Sequence, residues 1–145
     1  MRRVSEQLGP DHIMEVGIRA FSKPELDFTK KSGVTMITPQ DLRSAGISKT
    51  AQRIREFLSK FSHTYVTVDI DVLDPAFAPG VGNPEPDGLS TDELLTLVDS
   101  AMEKNTVGFD LVEVSPQLDT GQTAAVGVKV IFEAVAALSA RRDKT

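Results

Sequence analysis

The sequence predicts an α/β protein with three layers, in which a mostly parallel β-sheet lies between helices on both faces. Two observations lead to this fold class. Short apolar segments typical of strands alternate with segments whose apolar residues recur at helical spacing. Four of the eight prolines and three of the ten glycines fall within 72–88, so a long irregular loop follows one strand. Strands that are connected through helices pair in parallel, with right-handed crossovers.

Each element follows from a local pattern. Strands are predicted at 13–18, 34–38, 64–70 and 106–114. Helices are predicted at 1–8, at 40–45 after Pro39, at 49–61, from Ser90 onward, and at 123–140. Ser90 and Glu93 have the spacing of a capping box, which indicates that a helix begins there.

Composition sets limits on the class of protein. The 145 residues are 40% hydrophobic and 26% charged, as expected for one globular domain. The absence of cysteine excludes a disulfide framework and a thiolate zinc site. We find no apolar run near the ~20 residues of a membrane span and no secretory signal, so we expect a cytoplasmic protein without a membrane partner. The net charge of −5 argues against a nucleic-acid partner and suits a cationic substrate.

Asp69 and Asp71 come at the end of the apolar strand predicted at 64–70. Alternation along a strand would direct both carboxylates to the same face. Two neighbouring anions repel each other and resist burial unless cations lie between them, which predicts a site for hard divalent metals. The alternative is a strand that runs into a polar turn opened by Asp74-Pro75.

Other polar residues fall at the same edge of the predicted sheet. Asp69, Asp71, Glu113 and Arg19 all lie at or just beyond the carboxyl ends of strands. In open parallel sheets the ligand crevice lies outside those ends, so we expect a site there. Asp110 is expected to face away from it.

Three segments resemble the ureohydrolase family, which includes agmatinases and arginases. The string DIDVLDPAFAPGVGNPEPDGLS, from Asp69 to Ser90, resembles the family's metal-binding signature. Segment 107–116 resembles its last sheet strand with the substrate-binding glutamate, and Gly17-Ile18-Arg19 resembles an earlier strand. The segments occur in family order and cover nearly the whole chain.

The resemblance implies an arginase/deacetylase-like fold and hydrolysis of a guanidino compound to release urea, with a binuclear Mn2+ centre. It assigns Asp69 as the carboxylate that bridges the two Mn2+ ions and Asp71 as a ligand of one. It assigns Glu113 to the guanidinium of a small cationic substrate. Two adjacent cations lower the pKa of a shared water, so that hydroxide is available at neutral pH. No catalytic residue is assigned within this chain.

The resemblance also implies that the site is incomplete. In the family, four of six metal ligands and the catalytic histidine lie in upstream G-G-D-H-S and D-A-H-x-D segments, and neither string occurs here. Residues 1–145 therefore correspond to a C-terminal half, and a strand is missing between those at 64–70 and 13–18. His12 and His63 are expected to be exposed loop residues. We expect Mn2+ binding by this chain alone to be weak or absent.

Two functions remain open. The first is an agmatinase-like enzyme that converts agmatine to putrescine, acting as a homo-oligomer or with a missing N-terminal half. Arginases place an acidic pair after the G-[IL]-R strand, whereas here residues 20–23 contain no acid. Arginine, other guanidino acids and formimino compounds remain alternatives. The second function is a non-catalytic fragment or subunit that acts as a structural or interaction module.

Smaller expectations concern the surroundings of the site. Arg19 is expected to form a salt bridge at a strand exit. Asp74 is expected to accept hydrogen bonds from backbone N–H groups in the Asp-Pro turn. Gly80, Gly82 and Gly88 are expected to adopt positive φ angles.

Overall fold

Short parallel strands alternate with helices along the chain, as the sequence predicts. The computed structural model describes residues 2–143. The helices are α1 (Arg2–Leu8), α2 (Lys23–Ser32), α3 (Pro39–Ala45), α4 (Ile47–Leu58), α5 (Thr91–Ala101) and α6 (Gln122–Arg142). The strands are β1 (Met14–Val16), β2 (Thr35–Ile37), β3 (Thr64–Asp69) and β4 (Thr106–Val112). Turns of 3₁₀ helix lie at Pro10–His12, Ile70–Val72 and Pro116–Leu118.

The strands form two separate parallel pairs. β1 pairs with β2, and β3 pairs with β4. Within residues 2–143 no ladder joins β1 to β3, so each pair keeps an open edge. An open edge leaves backbone N–H and C=O groups available to another strand. This arrangement agrees with the expectation that one strand is missing between them.

The core lies between the β3–β4 pair and helices α4, α5 and α6, which pack in that order. Leu73 and Leu89 are almost fully buried and form an isolated parallel bridge across the long loop. α5 begins where the sequence predicts: the Glu93 N–H donates to Ser90 Oγ at 3.3 Å, and the Glu93 carboxylate accepts from the Ser90 N–H at 2.8 Å. The loop is therefore anchored in the core at both ends.

Helix α6 corrects one expectation. By length and composition alone it is sufficient to cross a membrane, with 21 residues and a mean hydropathy of 1.6 in its most apolar window. Lys129 and Glu133 interrupt the apolar run, but they are one turn apart and form an ion pair. The helix buries Val130 and Ala134 and packs against α5 and β4.

Several apolar surfaces remain uncovered among the described residues. Parallel sheets are normally covered on both faces, yet Tyr65 and Val107 on β3 and β4 are 61% and 63% exposed. α6 also exposes an apolar stripe at helical spacing: Val128, Ile131, Phe132 and Val135. Asp110 Oδ1 is buried and has no hydrogen-bond partner within residues 2–143, although Oδ2 accepts from the Tyr65 hydroxyl at 2.8 Å.

Candidate metal and substrate site

The candidate site begins where β3 ends. β3 stops at Asp69, and Asp71 lies in the following 3₁₀ turn, so the expected strand alternation does not relate the two residues. The turn brings them together instead, because the Asp71 N–H donates to Asp69 Oδ1 at 3.2 Å. Ile70 between them is fully buried, which directs the turn into the core. The predicted pair therefore forms, by a different local geometry.

The electrostatics of Asp69 indicate a site that favours a cation. The pKa of Asp69 is raised from 3.8 to about 6, first by partial burial of its carboxyl group and also by repulsion from Asp71 and Glu113. The hydrogen bond from the Asp71 N–H acts in the opposite direction. Asp69 keeps contact with solvent, so its desolvation is only partial. A divalent cation beside Asp69 would oppose the repulsion by its own charge.

Glu113 lies immediately after β4 in a left-handed backbone conformation, with φ +67°. A non-glycine residue is uncommon there, and such strain persists where the surrounding structure imposes it, often at functional sites. The Glu113 side chain is exposed. A Cβ built on Gly82 would lie 3.7 Å from Glu113 Oε2, so the carboxylate borders the long loop on the same side as Asp69.

Asp74 has the structural role that the sequence predicts. Its Oδ1 accepts from the Ala76 N–H at 2.9 Å, and Oδ2 accepts from the N–H groups of Asp87 and Gly88 at 2.8 and 3.3 Å. These bonds lower the pKa of the Asp74 carboxyl, the one from Ala76 most strongly. Asp74 therefore joins the two ends of the loop.

The expectation of positive φ at the loop glycines is wrong. Gly80, Gly82 and Gly88 are absent from the positive-φ residues of the described chain. Two of them serve close approach instead. A Cβ on Gly80 would lie 2.7 Å from the Asp119 carboxylate, and one on Gly88 would lie 2.4 Å from the Asp74 backbone nitrogen. The loop is packed too closely there for a side chain.

Asp119 was not found by sequence reasoning. Its carboxylate accepts from the N–H groups of Gly121 and Thr123, each at 2.8 Å, and the Thr123 hydroxyl accepts from the Gly80 N–H at 2.7 Å. Hydrogen bonds from Thr123 are the main cause that lowers the pKa of Asp119. The start of α6 thereby holds the middle of the loop. An acid just before an apolar helix was the available signal.

Arg19 does not form the expected salt bridge. Among the described residues its guanidinium donates to main-chain carbonyl groups, including that of Asp71 at 2.9 Å. The half-buried side chain thus lies against the turn that carries the carboxylates. Arg19 thus lies at the predicted edge of the sheet, but its partners are main-chain carbonyl groups and not an acidic side chain.

Both histidines are exposed, as predicted, but only His63 lies in a loop, since His12 ends the 3₁₀ turn Pro10–His12. His12 contacts Asp11 at 3.0 Å and packs against the Phe61 ring, while the His63 ring contacts the Ser62 hydroxyl at 3.0 Å. Within residues 2–143 no three His, Cys, Asp or Glu side chains converge as a metal site. Asp69 and Asp71 therefore fit a hard divalent cation in donor chemistry, but they supply only part of a coordination sphere.

We predict that the free energy of unfolding depends on pH through Asp69 in the metal-free chain. A raised pKa in the folded state means that the native state binds this proton more tightly than the unfolded state. The contribution of Asp69 to stability is therefore present below the unfolded pKa and is lost as pH rises through about 6. Asp69→Asn is expected to remove this loss, and its amide oxygen can still accept from the Asp71 N–H.

Denaturant titrations of the metal-free protein measure this effect. The Asp69→Asn variant should exceed the wild type in unfolding free energy by about 1 kcal/mol at about pH 8, with little difference near pH 4. Asp92→Asn, on an exposed helix position, is the charge-matched control. A difference between Asp69→Asn and wild type that is the same at both pH values would contradict the prediction.

We also predict that Glu113 strains the backbone. At φ +67° a glycine is unstrained, whereas alanine retains the steric cost. Glu113→Gly should therefore be more stable than Glu113→Ala by about 1 kcal/mol in chemical denaturation. At the neighbouring Val112, in extended β4, the same two substitutions should give the opposite order. The same order at both positions would exclude strain at Glu113.

Known proteins resemble this chain in sequence and in fold. The family model described as Arginase family matches residues 1–137. The proclavaminate amidinohydrolase of Streptomyces clavuligerus is 40% identical over 121 residues, covering 82% of this chain and 38% of the relative. The agmatinase of Halalkalibacterium halodurans is 35% identical over 130 residues, covering 87% of this chain and 42% of the relative. The solved agmatine ureohydrolase of Thermoplasma volcanium matches with a TM-score of 0.88 at 33% identity, covering 99% of this chain and 47% of that chain.

These matches confirm the predicted three-layer fold and the family expected from the Asp69–Ser90 segment. The chain spans less than half the length of the relatives that it matches. The open edges of its two strand pairs are therefore found in a chain that matches only part of each of these longer relatives. With the family model matched over nearly all its residues, the chain belongs to the arginase family of ureohydrolases.

Proposed function

We propose that this chain supplies the carboxyl-terminal part of the active site of a manganese-dependent hydrolase, which cleaves a guanidino C–N bond and releases urea. The observation that carries the proposal is that Asp71 and Glu113, from the ends of two different strands, both repel the Asp69 carboxylate. A carboxylate that two neighbouring anions repel suits a site that receives divalent cations and a cationic substrate.

The three carboxylates have two roles, one toward the metal and one toward the substrate. Asp69 and Asp71 would hold Mn2+, which supplies Lewis-acid chemistry and a nucleophile at neutral pH when it is bound. Glu113 would hydrogen-bond the planar guanidinium group through both carboxylate oxygens and so orient the carbon to be attacked. The backbone strain at Glu113 agrees with a side chain that is held in a required direction.

Agmatine is the substrate that we favour. The resemblance implies that an enzyme specific for arginine would place acids after β1 to bind the α-amino group, and the first acid there is Glu25. The Glu25 carboxylate already accepts from the Ser22 N–H at 2.6 Å and from its hydroxyl at 2.7 Å, as the capping box of α2. It is therefore engaged at a helix terminus. Among the relatives, the protein of Halalkalibacterium halodurans is named agmatinase.

Completion of the site requires a second polypeptide segment. The open edges of β1 and β3 and the buried Asp110 oxygen without a partner among residues 2–143 support such a segment. A second candidate function, a non-catalytic structural or interaction module, is favoured by the absence of a third metal ligand among the described residues. Urea release by the completed protein discriminates between the two.

The test compares the isolated chain with a chimera. In the chimera, the upstream portion of the Halalkalibacterium halodurans agmatinase precedes residue 1. With Mn2+ and agmatine, the isolated chain should release no urea and the chimera should release it, faster than from arginine. Turnover by the isolated chain would contradict the need for a second segment. A folded chimera that is inactive on guanidino and formimino compounds would favour the interaction module.

A further inference from the structure

Arg19 makes more long-range polar contacts than the sequence suggests. It follows β1, and its guanidinium donates to carbonyl oxygens in two segments of the long loop. The acceptors and their distances are Asp71 at 2.9 Å, Val72 at 3.2 Å, Leu73 at 3.1 Å, Glu85 at 3.0 Å and Pro86 at 3.1 Å. These residues lie 52 to 67 positions away along the chain.

The chemistry of these contacts requires a guanidinium group. Arginine presents five N–H donors in a rigid planar fork, and here nitrogens Nε, Nη1 and Nη2 all donate. A lysine ammonium is a single point with three donors and cannot reach two separate chain segments in the same geometry. Hydrogen bonds from a charged donor are also stronger than those between neutral groups.

The first acceptor segment is the part of the chain that directs the metal carboxylates. Asp71 and Val72 belong to the 3₁₀ turn Ile70–Val72, which follows Asp69, and Leu73 comes directly after it. The guanidinium binds the carbonyl groups of all three residues. Gly17, two residues before Arg19, lies directly under Val72, since a Cβ there would approach Val72 Cγ2 to 2.3 Å. The Gly17 main chain therefore packs against the Val72 side chain, next to the carbonyl groups that the guanidinium binds.

We propose that Arg19 is a positioning residue for the candidate metal site: it fixes the main chain of Asp71 and holds the carboxylates of Asp69 and Asp71 in a common direction. The second acceptor segment, Glu85 and Pro86, closes the loop against the same guanidinium. Movement of the loop would thus be transmitted to the carboxylate turn. The role toward metal rests on the proposed function, whereas the fixing of the turn does not.

The same loop offers a matched control. Arg43 donates to Asp87 Oδ1 at 2.7 Å, and both side chains are exposed. Among residues 2–143, Arg43 thus contacts the loop through one surface ion pair and no main-chain acceptor. Loss of such a pair changes stability little. Arg43→Ala removes the same charge as Arg19→Ala but leaves the carbonyl contacts intact.

The experiment compares Arg19→Ala, Arg19→Lys and Arg43→Ala with the wild type, using two NMR readouts below the lowest melting temperature. The first is amide hydrogen exchange at Leu73 and Leu89. Their N–H groups donate to the carbonyl groups of Ile70 and Val72, respectively, in the turn that Arg19 contacts. The second is paramagnetic broadening of the Asp69 and Asp71 amides by millimolar Mn2+. The Ile54 amide in α4 reports on the whole domain.

Both Arg19 substitutions should accelerate exchange at Leu73 and Leu89 by about tenfold or more, while Ile54 and the Arg43→Ala variant stay within about twofold of wild type. They should also raise the Mn2+ concentration for half-maximal broadening by about tenfold, as loss of an outer partner of a metal ligand does. A purely structural role would lower the melting temperature without changing this concentration.

Three results would overturn the positioning role. The first is exchange in Arg19→Ala at the rate seen in Arg43→Ala, and the second is equal acceleration at Ile54. The third is restoration of both readouts by Arg19→Lys, which would assign the effect to charge alone. Absence of Mn2+ broadening in the wild type would instead overturn the role of Arg19 toward metal in this chain, and it would not affect the proposed function, in which a second segment supplies further ligands. In that event the exchange rates at Leu73 and Leu89 still decide whether Arg19 fixes the turn.

Discussion

Replacement of Asp69 by alanine is expected to abolish urea release by the chimera that carries the upstream segments. Asp69 is the carboxylate whose pKa is raised by partial burial and by repulsion from both Asp71 and Glu113, which makes it central to the candidate site. Loss of an outer partner of a metal ligand costs up to about a hundredfold, and loss of the ligand itself should cost at least that. Manganese affinity should fall together with turnover.

Asp69→Asn removes the negative charge of the side chain while keeping its size and shape. It preserves the acceptor for the Asp71 N–H, so the 3₁₀ turn should remain, but it removes the anion. Turnover should be as low as in Asp69→Ala, while the metal-free protein stays folded. Asp92→Asn, which removes an exposed charge from the first turn of α5, should keep full activity. Measurable turnover in a folded, manganese-loaded Asp69→Asn protein would contradict the assignment of Asp69 as a ligand.

The sequence predicted the elements that have strong local signals. Ser90 and Glu93 located the start of α5 because a capping box is a contact between near neighbours. The apolar runs located β3 and β4, and their parallel pairing followed from the intervening helix. The carboxylate pair was also found, although the reason differed. Strand alternation would direct Asp69 and Asp71 to one face, but the chain leaves the strand after Asp69, because the buried Ile70 begins a 3₁₀ turn.

The sequence did not predict α2, because this helix has no clear spacing of apolar residues. Its hydrophobic pattern is weak and none of its residues is buried, so apolar spacing does not mark it. Ser22 and Glu25 nevertheless form a capping box, and Gly33 ends the helix in a left-handed conformation. The residues at the two ends of α2 thus indicate a helix, although its apolar residues do not.

The remaining errors concern contacts between distant residues. The carbonyl partners of Arg19 lie more than 50 positions away, so nothing in Gly17-Ile18-Arg19 distinguishes a main-chain clamp from a surface salt bridge. Gly88 was interpreted from local turn chemistry, although its requirement comes from the Asp74 main chain 14 residues earlier. Local patterns give the positions of such residues, and packing gives their roles.

Gly88→Ala is expected to be strongly destabilising. A methyl group at this position would lie 2.4 Å from the Asp74 nitrogen, 2.5 Å from the Leu73 carbonyl carbon and 2.8 Å from the Asp74 Cα. These atoms belong to the main chain and cannot rotate away. The loop would have to separate at the Leu73–Leu89 bridge, which is buried in the core. We expect a loss of about 3 kcal/mol in the free energy of unfolding, measured by denaturant titration.

Gly82→Ala provides the matched control in the same loop. Within the described part of the chain, its added methyl group would meet only Glu113 Oε2, at 3.7 Å, which is ordinary van der Waals contact. The change in unfolding free energy should stay within about 0.5 kcal/mol of wild type. Because the Gly88 clash separates Asp74 from Leu89, Gly88→Ala should also accelerate amide exchange at Asp74, whose N–H bonds to Leu89. Equal stability of the two variants would show that the loop can open at little cost, and close packing at Gly88 would then not be what holds the carboxylate turn against the core.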